Sequence, residues 1–184
     1  MGNAKRREGF EILTIGHSTR PIAEFVGLLV ENGVEILVDI RTIPKSAHNP
    51  QFGGAVLKKT LRKHGIEYRY LKDLGGLRKP RKDSIHTGWR NRSFQGYADY
   101  MESAEFKAAL AELLAISKTA LPAIMCAEAV PWRCHRNLVA DELVFEGHGV
   151  GHILGPGKVS PHRITAWARV RGGRLVYPPE RPSA

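Results

Sequence analysis

Cysteine is nearly absent: the 184-residue chain has two. Two thiols cannot make the disulfide framework of a small secreted domain, and a chain of this length can rest on one hydrophobic core instead. Reduced thiols suit a cytoplasmic setting, which is the compartment expected. No run of about 18 apolar residues occurs, so neither a membrane span nor a membrane partner is expected. The basic start MGNAKRREG lacks the apolar stretch of a secretory signal. A GxSxG elbow and a Walker loop are both missing, so nothing supports an α/β-hydrolase or a P-loop nucleotidase. Repeats are missing too, and no shift in composition marks a boundary. The chain therefore reads as one domain over 10–177, between a flexible basic N-terminus (1–9) and a flexible tail (178–184).

Negative charge is the other scarcity. Eighteen Asp and Glu face 28 Lys and Arg, a formal net charge of +10. Such an excess points to a polyanionic partner, a phosphorylated small molecule or a nucleic acid. The excess is concentrated in one region. Arg69, Lys72, Arg78, Lys79, Arg81, Lys82, Arg90 and Arg92 stand against Asp73 and Asp83, with Tyr68, Tyr70, Trp89 and Phe94 interleaved. Basic side chains can meet phosphates while aromatic faces stack on bases. A generically basic surface is the competing explanation. The sequence leaves the oligomeric state open.

What is present reads as alternating strands and helices. Short apolar runs predict strands at 10–15, 34–40, 66–71, 122–126 and 150–154. Apolar residues at helical spacing predict helices at 21–31, 56–64 and 132–146, with one or two more within 97–117. A small hairpin is expected around Gly172-Gly173. The stretch 72–95 has little periodicity and reads as a long loop, functional or disordered. The alternation predicts an α/β fold: a mostly parallel sheet of about five strands with helices on both faces.

In such a sheet, ligands bind outside the carboxyl ends of the strands. The segments just beyond those ends are chemically rich. GHSTR brings Gly16, His17 and Ser18. DIRTIPKS brings Asp39 and Arg41. KDLGGLRK brings Gly75, Gly76 and Arg78. The fourth strand leads into MCAEAVPWRCHR (125–136), which holds both cysteines, Glu128, Arg133, His135 and Arg136. The opposite strand ends carry only helix-closing turns such as Asn32-Gly33, so one functional edge is expected.

The same segments, taken in order, resemble a known family. TIGHSTR, LVDIRTIPKS, YLKDLGG, FQGYADYM and CAE…CHR are similar to the domain of unknown function number 488, over about 13–153. The residues that match its motif are Gly16, His17, Ser18, Asp39, Arg41, Gly75, Gly76, Cys126, Glu128, Cys134, His135 and Arg136. The resemblance implies an α/β domain with these residues at the strand ends. It brings no established reaction.

The 125–136 segment is expected to place Arg133, Cys134, His135 and Arg136 in the first turn of a helix. Two arginines and a histidine oppose the helix dipole there, which an anion would reverse. Pairing of Glu128 or Asp39 with these arginines is the structural alternative. Glu128 is a candidate general base, His17 a proton shuttle, Asp39 an orienting carboxylate and Cys134 a nucleophile with a lowered pKa. Cys126 reads as core, its catalytic use being the weaker alternative. Ser18, Arg41, Gly75, Gly76, Arg78, Arg133, His135 and Arg136 are candidates for holding the anion. The loop from Cys126 to Arg133 is a poor match to the cysteine-phosphatase cradle, being longer and free of glycine. C-x7-C-H lacks the close paired knuckle of a structural zinc site, so no metal and no cofactor is expected. A Cys126–Cys134 disulfide switch is a further alternative. The leading expectation is a hydrolase or group transferase acting on a phosphate-bearing substrate, nucleotide or nucleic acid favoured. Its rivals are a non-catalytic nucleic-acid-binding or regulatory module and a thiol-based redox or metal sensor.

Overall fold

A computed structural model describes residues 9–46 and 48–179, so most of the two expected flexible ends, 1–8 and 180–184, lies outside the described residues. The elements run β1 (Ile12–Gly16), α1 (Ile22–Glu31), β2 (Ile36–Asp39), α2 (Gly54–Arg62), β3 (Glu67–Tyr70), α3 (Arg92–Tyr100), α4 (Ala104–Thr119), β4 (Pro122–Cys126), α5 (Arg136–Phe145), β5 (Val150–Gly155), β6 (Lys158–Pro161), β7 (Arg169–Arg171) and β8 (Arg174–Val176). Six strands form one sheet in the order β3-β2-β4-β1-β5-β6, and β7 and β8 form the small hairpin. β3, β2, β4, β1 and β5 are parallel. β6 runs antiparallel to β5. This edge strand has no apolar run to predict it, being only KVSP. A lysine and a proline on a short edge strand hide it in the sequence, and they also blunt the edge against further pairing.

Side chains alternate across the sheet and so build two cores. Leu13, Ile15, Leu37, Ala123 and Met125 pack with Phe25 and Leu29 of α1 and Leu57 and Leu61 of α2. Ile12, Val38, Ile124 and Val150 pack with α3, α4 and α5 through Tyr97, Phe106, Leu113, Leu138 and Leu143. The fold is therefore a mostly parallel sheet with helices on both faces, as the sequence predicts. None of the described helices is long and apolar enough to cross a membrane.

The 72–95 stretch is held in place along its length. The Tyr97 hydroxyl donates to Leu74 O at 2.7 Å and the Tyr100 hydroxyl to Asp73 O at 2.7 Å. The Arg81 N–H donates to Asp99 Oδ2, and the Gly88 N–H to Tyr177 O. Its aromatic residues contact one another and the C-terminal segment: Trp89 packs edge-on against Phe94 and Trp167, with Tyr177 alongside. The Trp89 and Phe94 rings that the sequence offers for base stacking pack against each other and stay half-buried.

Candidate functional site

The register brings the predicted rim together. Gly16 lies beside Cys126 and Asp39 beside Met125 at the carboxyl ends of neighbouring strands. Strand alternation then divides the residues between the two faces, a division that a list of strand ends does not show.

On the α1/α2 side, Asp39 and Arg41 form a buried ion pair. Asp39 accepts from the Arg41 backbone N–H at 3.0 Å, from Nε at 2.9 Å, from Nη2 and from the Tyr68 hydroxyl at 2.8 Å. Arg41 also donates to Phe52 O at 2.8 Å and meets His17 Nε2 at 3.3 Å. Burial works against the Arg41 charge and the Asp39 carboxylate more than offsets it, so its pKa is raised. His17 stacks on Phe52 and points Nδ1 at Ser18 O, 2.9 Å away. Burial lowers its pKa, which the Ser18 carbonyl opposes and the Arg41 charge reinforces. His17 is then neutral, with Nδ1–H donating to Ser18 and Nε2 accepting from Arg41. The His17 and Ser18 backbone N–H groups bond Cys126 O and Ala127 O. Ser18 sits at φ 44° to make that turn. Both of these amides are therefore occupied within the fold.

On the α5 side lie Cys126, Cys134, His135 and Arg136. Here the helix begins later than the spacing predicts. Pro131 starts a 3-10 turn over Pro131–Arg133, and Cys134 is extended at φ −135° and ψ 150°. α5 then starts at Arg136, with His135 as its N-cap. Arg133 and Cys134 therefore precede the helix, and the expected crowd of cations in its first turn is not formed. Arg136 turns inward and is 1% exposed. Its Nη2 donates to Glu128 O at 2.6 Å, and its Nη1 approaches Thr14 Oγ1 at 3.4 Å. Gly16 is obligatory for this, since a Cβ there would come 1.8 Å from Glu128 O. Arg41 and Arg136 are thus both tied into the fold by hydrogen bonds, and Arg41 also lines the cleft described below. Arg78 is committed too, stacked 3.6 Å over the Tyr100 ring and bonded to Gly75 O.

Both cysteines are free and buried. His135 Nδ1 lies 3.6 Å from Cys134 Sγ and 3.9 Å from Cys126 Sγ, while its Nε2 meets Ile40 O at 3.0 Å. The Arg136 backbone N–H donates to Cys134 Sγ at 3.5 Å. Burial disfavours a Cys134 thiolate, but hydrogen bonds from Cys126 and His135, with the His135 and Arg136 charges, hold its pKa well below the usual thiol value. The Cys126 pKa is pushed up by its hydrogen bond to Cys134, by burial and by the Cys134 charge. Gly75 and Gly76 act here by their lack of a side chain: a Cβ on Gly76 would come 2.8 Å from His135 Nδ1, and one on Gly75 2.9 Å from Thr42 Oγ1.

These groups floor a cleft of about 350 Å³, walled by Arg41, Thr42, Lys45, Gly76, Asn91, Ser93, Phe94, Glu128 and Arg133. Glu128 is exposed on the wall. Thr42 and Lys45 come from the segment that follows β2, DIRTIPKS, as the list of strand ends predicts, whereas Asn91 and Ser93 arrive from the start of α3 and have no sequence signal as wall residues.

Behind Arg136 runs a buried polar chain that no motif announces. Thr14 Oγ1 meets His152 Nδ1 at 2.8 Å, His152 Nε2 meets His162 Nδ1 at 2.9 Å, and His162 Nε2 meets Asp141 Oδ1 at 2.8 Å. Arg136 donates at one end and Asp141 accepts at the other, so each neutral ring has one possible tautomer. The available signal is a polar residue inside an apolar strand, Thr14 in FEILTI and His152 in VGHIL, because a buried polar group needs a partner. Burial, with the His162 and Arg136 charges, lowers the His152 pKa from 6.5 to about 3. A depressed folded-state pKa stabilises above the unfolded value and is lost as pH falls. Glu142, raised by burial and by Glu146 to about 7, acts in the opposite sense between 4.5 and 7. Stability is therefore expected to fall steeply below pH about 4.5. An NMR titration checks the cause: His152 stays neutral at pH about 5.5, and a protonated ring at that pH refutes the assignment.

A family model described as "Domain of unknown function DUF488" matches residues 21–143. Comparison with curated proteins and with solved structures gives no match. The matched span covers most of the chain and includes Asp39, Arg41, Gly75, Gly76 and the whole 125–136 segment, and on that ground the protein belongs to the DUF488 family.

Proposed function

We propose that the cleft is the active site of an enzyme that binds a phosphate-bearing substrate and catalyses its hydrolysis or group transfer. One observation carries this reading. Among the described residues, the side chains of Lys45, Arg133 and Glu128 make no hydrogen bond or ion pair, and all three line the same cleft. The fold engages Arg41, Arg78 and Arg136 but leaves two cations and one carboxylate free over a floor of thiols and imidazole. Lys45 and Arg133 suit an anionic group. Glu128 can transfer a proton at the edge of the bound substrate. The net charge of +10 favours nucleotides or nucleic acid as the source of the phosphate.

Calorimetric titration with inorganic phosphate and with nucleoside mono-, di- and triphosphates tests it. Arg133→Ala and Lys45→Ala are each expected to weaken binding by about tenfold, the effect of one charge-assisted hydrogen bond. Lys79→Ala, outside the cleft, leaves binding unchanged. Glu128→Gln keeps binding and abolishes turnover of the ligand that binds best. Binding that ignores Arg133→Ala overturns the site, and turnover that survives Glu128→Gln overturns the role of the carboxylate. Binding without turnover in the unsubstituted protein makes the cleft that of a non-catalytic module.

A further inference from the structure

The floor of the cleft has a second property that requires no substrate. The Sγ atoms of Cys126 and Cys134 and the Nδ1 of His135 all lie within 4.8 Å of one another. In a tetrahedral zinc site, Zn–S of about 2.3 Å and Zn–N of about 2.05 Å separate a sulfur from a nitrogen ligand by about 3.6 Å. The two sulfur–nitrogen distances here are 3.6 and 3.9 Å. The donor atoms already stand within a few tenths of an ångström of that spacing.

The orientation of His135 supplies the second observation. Its Nε2 faces Ile40 O at 3.0 Å, so Nε2 carries a proton, and Nδ1, once its own proton is released, presents its lone pair to the two sulfurs. A ligating histidine is commonly held this way, its far nitrogen donating to a backbone carbonyl. Gly76 adds a third: the space beside Nδ1 stays open only because residue 76 has no Cβ. The objection from spacing, that C-x7-C-H forms no knuckle, applies to ligands arranged by one local turn. Here the end of β4 supplies Cys126, the 3-10 turn returns Cys134, and the start of α5 places His135.

We propose that Cys126, Cys134 and His135 hold a zinc-class divalent ion with its fourth position open to the cleft. Neither His17 nor His48 supplies the fourth ligand. Both ring nitrogens of His17 are engaged, by Ser18 O and Arg41 Nη1, and His48 is exposed and outside the cleft lining. Three protein ligands with one open position is the arrangement of a reactive zinc site, in contrast to the closed four-ligand structural kind. Binding releases the thiol protons to solvent, so uptake is pH-dependent. The inference shares its cleft with the proposed enzyme but does not depend on any turnover.

The test uses the full chain, reduced and reconstituted with Zn²⁺, then with Co²⁺. About one zinc per chain is expected after removal of free metal, and the Co²⁺ form should show thiolate-to-cobalt charge transfer in the near-ultraviolet with intense tetrahedral d–d bands. Cys126→Ser, Cys134→Ser and His135→Ala should each lower retained metal by at least about tenfold, whereas Glu128→Gln should retain it. The unsubstituted protein decides the matter even if a variant fails to fold. Less than roughly a tenth of an equivalent of zinc per chain, or a cobalt spectrum without sulfur charge transfer, overturns the proposal. Phosphate binding measured on metal-free protein separates this outcome from failure of the anion-binding reading.

Discussion

Asp39→Ala should destabilise the protein by about 3–5 kcal/mol, because it leaves a buried guanidinium without its counter-charge. The Asp39 carboxylate is fully buried and Arg41 is 5% exposed. The substitution removes the acceptor of the Arg41 backbone N–H, of two of its guanidinium nitrogens and of the Tyr68 hydroxyl. Each kcal/mol shifts the melting temperature of a chain this size by about 2–4 °C, so a drop of roughly 10 °C is expected. Asp39→Asn should cost less, since an amide oxygen can still accept. The double variant Asp39→Ala/Arg41→Leu should recover part of the loss, because no unpaired charge remains. Chemical denaturation of the four proteins measures this. A loss under about 1 kcal/mol for Asp39→Ala would show that the pair contributes no more than an exposed one.

Arg136→Met should cost about 2–4 kcal/mol, from hydrogen bonds made by a charged donor to otherwise buried acceptors. Methionine keeps the length and apolar stem but cannot donate to Glu128 O or Thr14 Oγ1. The carbonyl of Glu128 would remain pressed against Gly16 with no donor, so the loop between β4 and the 3-10 turn should open. Hydrogen exchange should therefore rise in 127–134 more than in β1 or β5. Unchanged exchange there, with unchanged stability, would show that the guanidinium does not hold the loop. Arg136→Lys is the sharper comparison. A point charge cannot span Glu128 O and Thr14 Oγ1 as the planar guanidinium does, so lysine should recover only part of the stability.

Both substitutions fall on residues that the sequence marks as functional and that burial and hydrogen bonds also tie into the framework. In a list of strand ends, His17, Asp39, Arg41, Cys126 and Arg136 are equivalent: polar groups on one edge of a parallel sheet. Parity along each strand separates them. Asp39 and Arg41 project toward α1 and α2, Cys126 toward α5, and only the cleft at the strand ends brings Arg41 and the cysteines back to one surface.

By itself the sequence determined the alternation of strands and helices, the edge on which polar chemistry collects, and the family. Those properties are local: apolar runs, helical spacing and turn residues act over a few positions, and a motif is a string. Tertiary structure alone decided the late start of α5, the edge strand β6, and which charges remain free. His135 finds Ile40 O across 95 positions and Thr14 finds His152 across 138. Contacts of that separation depend on strand order and register, which no local pattern encodes. Arg133 and Arg136 are three residues apart and identical in kind, yet one is exposed in the cleft and the other is buried beneath it. The backbone turn at Pro131–Cys134 sets that difference, by ending one helical turn before the next begins.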